Sequence, residues 1–283
     1  MFSTQIKNAL AHAAPLRRVF FPLFARFNPG DITITHHYTG DRVRLHSFKH
    51  RGYWWSGKDR ETDTMRAFAA LVRPGDTVFE VGAHIGYITL YFAQLVGARG
   101  RVHAFEPGDN NLPYTRQNLA QRPQITLIEK AVGDHEGQGT FYLEDLTGQN
   151  NSLVQNYLGL RLTEGQAIKA GVRPVTVVLT TLDGYVEKTG IKPDFVKIDV
   201  EGAEYGVLAG ATKLLEEARP RIMVETANEA ADQVMALLGP LGYVFYRSDG
   251  VIARARGELL TNTFCLHPER HAEGIRALGW PLP

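Results

Sequence analysis

The stretch Thr77-Val-Phe-Glu-Val-Gly82-Ala-His-Ile-Gly86-Tyr-Ile-Thr-Leu90 decides the fold. Five residues rich in β-branched and aromatic side chains run into a glycine loop, and an apolar helical stretch follows, which reads as strand, turn and helix. In open α/β sheets ligands settle at the carboxyl ends of the strands, and the first strand-to-helix turn is the usual cradle for a cofactor. Gly82 lets a ligand approach the backbone closely, and Gly86 lets the helix pack near its strand.

Outward from this segment the pattern repeats. Short apolar strands are expected at Thr77–Val81, Arg101–Phe105, Ile125–Lys130, Phe195–Ile198, Arg221–Val224, Tyr243–Arg247 and Leu260–Leu266, with helical stretches between them. This alternation predicts an α/β fold, a doubly wound, seven-stranded, mostly parallel sheet of Rossmann-like type. The best helix spans Ala203–Ala218, where Val207, Leu208, Ala211, Leu214, Leu215 and Ala218 mark one buried face before Arg219-Pro220 ends it. Residues 137–174, rich in Gly, Asn and Thr with a strand at Thr140–Leu143, form a long insertion near the site.

The second strand ends in Phe105-Glu106-Pro107, placing an acid 24 residues after Gly82. An acid at that tip accepts hydrogen bonds from ribose hydroxyls, so the pair implies a nucleoside cofactor. A dinucleotide fingerprint needs a third glycine that Gly82-Ala83-His84-Ile85-Gly86 lacks, and Glu80 just before the loop repels phosphate. Such an acid suits the ammonium of an amino-acid tail, which favours S-adenosylmethionine over NAD. Asp134, where the third strand runs out, is placed to accept from the adenine amino group, or else to stabilise its own turn.

The chemical end is Val196-Lys197-Ile-Asp199-Val-Glu201-Gly202-Ala-Glu204, a buried strand running into three acids. Capping of a helix N-terminus accounts best for Glu204 and least for Asp199. Lys197 shares a strand face with Asp199, so the two can pair.

These segments resemble the FkbM-type S-adenosylmethionine-dependent methyltransferases. The resemblance runs from about Gly75 to His267 through Phe79-Glu-Val-Gly-Ala-His-Ile-Gly-Tyr-Ile-Thr, Val102-His-Ala-Phe-Glu-Pro, Ala131-Val-Gly-Asp, Thr181-Leu-Asp-Gly and, most specifically, Val196-Lys-Ile-Asp-Val-Glu-Gly-Ala-Glu. It implies a class I methyltransferase fold and methylation of a hydroxyl on a sugar, glycolipid or secondary metabolite. The expected cofactor-binding residues are Glu80, Gly82, Ala83, His84, Gly86, Tyr87, Glu106, Pro107, Asp134 and Asp199. His84 departs from the small polar residue more usual there. Asp199 is the first choice of base and Glu201 the second, with His37 or His36 as rivals and a divalent ion on Asp199 and Glu225 as a further alternative. The rival functions are an NAD-dependent oxidoreductase and a cofactor-binding partner subunit without catalysis.

The first sixty residues differ from the rest. They carry ten Lys and Arg against three Asp, net +7, while residues 61–283 carry 21 against 27, net −6. They read as a basic cap or accessory region before a methyltransferase domain at 61–283. Within them a helix over Phe2–Phe27 packs on protein or touches a membrane or lipid-linked substrate. Alternation of Ile32/Ile34 and Val43/Leu45 around Thr39-Gly40-Asp41 predicts a hairpin placed to lie over a site. No apolar run approaches the roughly 18 residues of a membrane span. Cys265 is alone, so a disulfide framework and a multi-cysteine zinc site are excluded and a cytoplasmic location is expected. Near-neutral net charge and the lack of any base-handling motif argue against nucleic acid, leaving a small-molecule or glycan acceptor as partner and a homo-oligomer open.

Overall fold

The computed structural model describes residues 29–155, 171–226, 231–259 and 261–283. The expected helix over Phe2–Phe27, with its membrane or lipid contact, lies outside them. Among the described residues no helix is long and apolar enough to cross a membrane.

The main sheet has the order β12-β11-β13-β10-β9-β3-β4-β5. Its strands are β3 (Thr77–Val81), β4 (Arg101–Phe105), β5 (Ile125–Ile128), β9 (Phe195–Ile198), β10 (Arg221–Glu225), β11 (Val244–Arg247), β12 (Ile252–Ala253) and β13 (Asn262–Leu266). All seven expected strands are present, and the two-residue β12 adds an edge. The five from β5 to β10 are parallel, whereas β13 runs antiparallel to both its neighbours. This is the class I methyltransferase fold. The chain builds outward from β3 to β5 and then returns to lay β9 on the other side of β3. That reversal opens a crevice at the carboxyl ends of β3 and β9.

Both faces of the central strands are apolar because both are covered. Phe79, Val81, Val196, Ile198, Ile222 and Val224 face α5 (Leu182–Thr189), α6 (Glu204–Ala209), α7 (Thr212–Glu217) and α8 (Ala231–Leu238). Val78, Phe195 and Met223 point the other way, into α2 (Thr62–Leu71), α3 (Tyr87–Val96) and α9 (Ala272–Ala277). Each fully buried Phe, Leu or Val contributes roughly 1.5–3 kcal/mol to this two-sided core. By the same two-residue period Glu80, Lys197, Asp199 and Glu225 all project from the second face, at its cleft end.

The single helix expected over 203–218 is two helices. A Cβ on Gly210 would lie 2.1 Å from the carbonyl oxygen of Gly133, so the chain passes too close for a regular helix with side chains. Asp183 completes the break: its N–H donates to the Gly210 carbonyl, and its carboxylate accepts from the N–H groups of Lys213 and Leu214, capping α7 from another element.

The hairpin forms as expected, from β1 (Asp31–Thr35) and β2 (Arg42–His46). Its buried Val43 and Leu45 pack with Ile85, Leu90 and Leu119, on α3 and α4 (Leu112–Leu119). Asn118 locks it there, accepting from the Arg44 N–H and donating to the carbonyls of Arg44 and Ile85. The hairpin therefore flanks the sheet and contributes no wall to the cleft, a correction to its expected place over the site. The residues that reach the cleft follow it, from α1 (Arg51–Trp55) to the start of α2. The described part of the insertion is a second sheet of β6 (Ala131–Val132), β8 (Val172–Thr180) and β7 (Gly137–Glu144).

Candidate active site

At the carboxyl ends of β3, β4, β9 and β10 lies a cavity of about 780 Å³, the size of a small-molecule site. Its floor follows from strand register. Glu80 on β3 faces Lys197 on β9 across the ladder. The Lys197 ammonium sits 3.2 Å from Asp199 Oδ2 and 3.7 Å from Glu80 Oε1, and donates to the Gly82 carbonyl at 3.0 Å. Glu80 and Lys197 are buried and Asp199 is partly exposed at the cavity wall, so the ammonium is held between one buried and one cavity-facing carboxylate. Burial lifts the Glu80 carboxyl to about 7 against the pull of Lys197. For Asp199 burial is the largest single influence, but the Lys197 ammonium, a hydrogen bond from Glu225 and the charge of Arg60 together outweigh it and hold the carboxyl below its ordinary value. The pair expected between Lys197 and Asp199 is present. Glu80 itself lies under the cavity wall, so its neighbouring cation is Lys197.

Gly82 has φ +88, and a Cβ there would stand 1.9 Å from the Asp199 carbonyl oxygen. The glycine is thus required by the close approach of the β9 end, where the sequence reading had a ligand. Gly86, at φ +81, makes room for Leu119 of α4 where its own strand was expected.

Glu106 ends β4 and is 4% exposed. Its Oε2 accepts from the His84 N–H at 2.7 Å, and its Oε1 from the Gly108 N–H at 2.9 Å and Asn111 Nδ2 at 3.3 Å. Burial raises this carboxyl to about 7 against those donors. A carboxylate offers about four acceptor positions, so one remains on Oε2.

On the far wall Asp199 and Glu201 leave β9, and Glu225 ends β10 beside them. Burial and the adjacent Asp199 push Glu225 up to about 10, because two carboxylates side by side do not both ionise. Ligand oxygens of Asp199, Glu201 and Glu225 lie within 4.8 Å of one another. Glu201 and Gly202 both have left-handed backbone, φ 57 and 103, a conformation costing roughly 1–3 kcal/mol at a non-glycine residue. The turn is pinned by Ser152 Oγ donating to the Glu201 carbonyl and by the Gly202 N–H donating to Glu204 Oε1. Glu204 therefore braces the turn before α6 and does not cap the helix N-terminus as expected, and the insertion reaches the site through Ser152.

Of the residues singled out from sequence, Gly82, His84, Glu106, Pro107, Asp199 and Glu201 line the cavity. Ala83, Gly86 and Tyr87 are behind it. His37 bonds the Tyr87 hydroxyl at 2.7 Å and His36 the Tyr87 carbonyl, away from the wall. Asp134 is largely exposed and pairs with His135 at 2.6 Å, so it does not meet the cavity. Sequence reading missed Tyr53, the run Asp59–Thr64, and Asn111 and Asn151, which complete the wall.

Comparison with known proteins follows this geometry. The 31-O-demethyl-FK506 methyltransferase FkbM of Streptomyces tacrolimicus is 31% identical over 199 residues, covering 61% of this chain and 74% of that protein. The 2-O-methyltransferase NoeI of Sinorhizobium fredii is 25% identical over 156 residues, covering 53% of this chain and 63% of its own length. The hexuronic acid methyltransferase AglP of Haloferax volcanii is 27% identical over 157 residues, covering 55% and 58% respectively. The chain thus spans under two thirds of the length of two of these three relatives. Among solved structures, the methyltransferase FkbM of Methylobacillus flagellatus aligns with a TM-score of 0.45 at 15% identity, covering 68% of this chain and 44% of that one. The Methyltransferase FkbM domain matches residues 80–245, more than half of the chain, and the protein belongs to that family of methyltransferases.

Proposed function

We propose that the protein is an S-adenosylmethionine-dependent O-methyltransferase acting on a hydroxyl of a sugar, glycolipid or secondary metabolite. The observation that carries this reading is the placement of two carboxylates on the wall of one cavity, the buried Glu106 after β4 and the partly exposed Asp199 after β9. The donor set suits the cofactor. Glu106 retains an acceptor position for a ribose hydroxyl, and of the Glu80–Lys197–Asp199 group Asp199 is the member that faces the cavity, a carboxylate suited to the ammonium of an amino-acid tail. Two of the relatives are named for a 2-O and a 31-O position and the third for a hexuronic acid, which supports an O-directed reaction on a sugar or secondary metabolite.

When bound, S-adenosylmethionine supplies a methyl carbon on a sulfonium, which leaves as a neutral thioether while the acceptor oxygen gives up its proton. The chain's part is to orient and to receive that proton. Fixing the reactants in line is worth up to about 7–11 kcal/mol in favourable cases. Asp199, held ionised by Lys197, is the acceptor of the proton, with Glu201 beside it. A carboxylate of low pKa suffices because the hydroxyl proton grows acidic as the oxygen donates its electron pair. Glu225, keeping its own proton, leaves Asp199 the charged member of that pair.

Labelled S-adenosylmethionine offered with a panel of methyl glycosides and macrolide alcohols tests the reading. Label is expected in an O-methyl ether, with uptake of S-adenosylhomocysteine and none of NAD. Label recovered only on nitrogen or carbon, or on no member of the panel, would contradict it.

The carboxylate cluster favours a second reading, in which Asp199, Glu201 and Glu225 hold a hard divalent cation that polarises the hydroxyl. Chelation then abolishes turnover and magnesium restores it. Under the first reading turnover is unchanged.

A further inference from the structure

Tyr53 is the one aromatic side chain that α1 brings to the cavity wall, and nothing in the methyl-transfer reading above uses it. It is 6% exposed and clamped. The Arg60 guanidinium lies 4.6 Å above its ring centroid, and the Tyr87 ring packs at 4.7 Å. Its hydroxyl is 3.0 Å from His84 Nδ1.

Which of those two atoms owns the proton is decided on the other side of the imidazole. His84 Nε2 is 3.3 Å from the Thr147 carbonyl oxygen, and a carbonyl only accepts. The ring proton is therefore on Nε2. Nδ1 is left with its lone pair, and the Tyr53 hydroxyl must be the donor to it. The Thr147 carbonyl is itself held. The fully buried Glu144 carboxylate accepts from the N–H groups of Leu146 and Thr147 and from the Thr147 hydroxyl. The backbone of His84 is fixed as well, with its N–H on Glu106 and its carbonyl accepting from Thr115 Oγ1.

We infer that Tyr53 presents only oxygen lone pairs to the cavity and so takes the hydrogen bond of an acceptor hydroxyl next to the one that is methylated, with His84 as the positioning residue that turns it that way. This rests on the methyl-transfer reading and adds a residue to its acceptor side. His84 then serves both halves of the cavity: its backbone N–H holds the ribose-facing Glu106, and its side chain aims Tyr53. With that neighbouring hydroxyl docked on Tyr53, the attacking hydroxyl keeps its hydrogen for Asp199 and a lone pair for the methyl carbon. Burial and clamping favour such a fixed acceptor over a mobile one, because little is left to order on binding.

The test has two arms on the full chain. Imidazole nitrogen NMR of the ¹⁵N-histidine-labelled protein with S-adenosylhomocysteine reads the tautomer with no acceptor needed. The His84 signals are expected to show a protonated Nε2 and an unprotonated, hydrogen-bonded Nδ1, whose shift moves in Tyr53→Phe. A proton on Nδ1 would overturn the inference. In the second arm, methyl transfer to the labelled panel member is expected to lose about tenfold to a hundredfold in kcat/KM in Tyr53→Phe, with S-adenosylhomocysteine affinity within about twofold of the parent. His84→Asn, whose amide oxygen replaces the Nδ1 lone pair, should recover most of the activity that His84→Leu loses. Full turnover by Tyr53→Phe, or equal losses in the Asn and Leu variants, would overturn it. Absent S-adenosylhomocysteine uptake by the parent protein strikes the methyl-transfer reading instead and leaves the tautomer result standing.

Discussion

The two halves of the cavity are built in different ways. The donor half hangs on strand ends: Glu80, Gly82, Glu106, Lys197 and Asp199 each follow from a ladder register or from the residue that ends a strand. The acceptor half comes from α1, the turn after it and the insertion, whose places are set by docking, such as the Ser152 bond to the Glu201 turn. Backbone hydrogen bonding fixes the first to the sheet, while side-chain contacts fix the second. On the proposed reading the strand-end half, which binds the donor, is the stiffer and the more costly to alter, and the other half, which meets the acceptor, is held by side-chain contacts.

The largest effect that could break this contrast is in the floor. Lys197→Met removes the cation between the buried Glu80 and the partly exposed Asp199 and is expected to cost up to about 3–5 kcal/mol, read as a fall in the urea midpoint. An unchanged midpoint would mean that the donor half does not depend on the pair. Gly82→Ala comes next, at about 2–4 kcal/mol, since it adds a Cβ against the Asp199 carbonyl at a left-handed φ.

Glu106→Gln sharpens the comparison by acting on binding more than on folding. Affinity for S-adenosylhomocysteine should drop by about 1.5–3 kcal/mol in calorimetry, the worth of a hydrogen bond to a charged group. The pH dependence has a definite sign. Burial raises Glu106 from 4.5 to about 7, and the ribose needs the carboxylate form. Binding by the parent protein should therefore weaken as pH falls through 7, by about tenfold per unit at the limit, and Glu106→Gln should remove that leg. The smallest effect belongs to the hairpin. Arg44→Ala loses an exposed pair with Asp31 at 2.7 Å and should cost under about 1 kcal/mol with no change in cofactor affinity.

The same contrast explains what was legible in the sequence. Strands such as Thr77–Val81 and Phe195–Ile198 announce themselves because both faces are buried and the chain runs apolar, and Glu106 and the Lys197–Asp199 pair follow by counting from them. The helix break at Gly210 was hidden because its cause, the Gly133 carbonyl, is distant in sequence, and its cap, Asp183, belongs to another helix. Asp134 misled because a strand end is not always at the cleft: the chain turns there toward the second sheet. Tyr53 gave no signal, since its place is set by packing against Ile85, Tyr87 and Leu90 and by the Asn118 lock on the hairpin, all distant from it in sequence.

Calorimetric titration of the intact chain with S-adenosylhomocysteine at pH 8 and pH 6 tests the central claim most directly. Saturable one-site binding that is weaker at pH 6, with Glu106→Gln weak at both, is the predicted result. No heat of binding at either pH, or equal affinity for the parent and Glu106→Gln, would contradict the assignment of this cavity to the methyl donor.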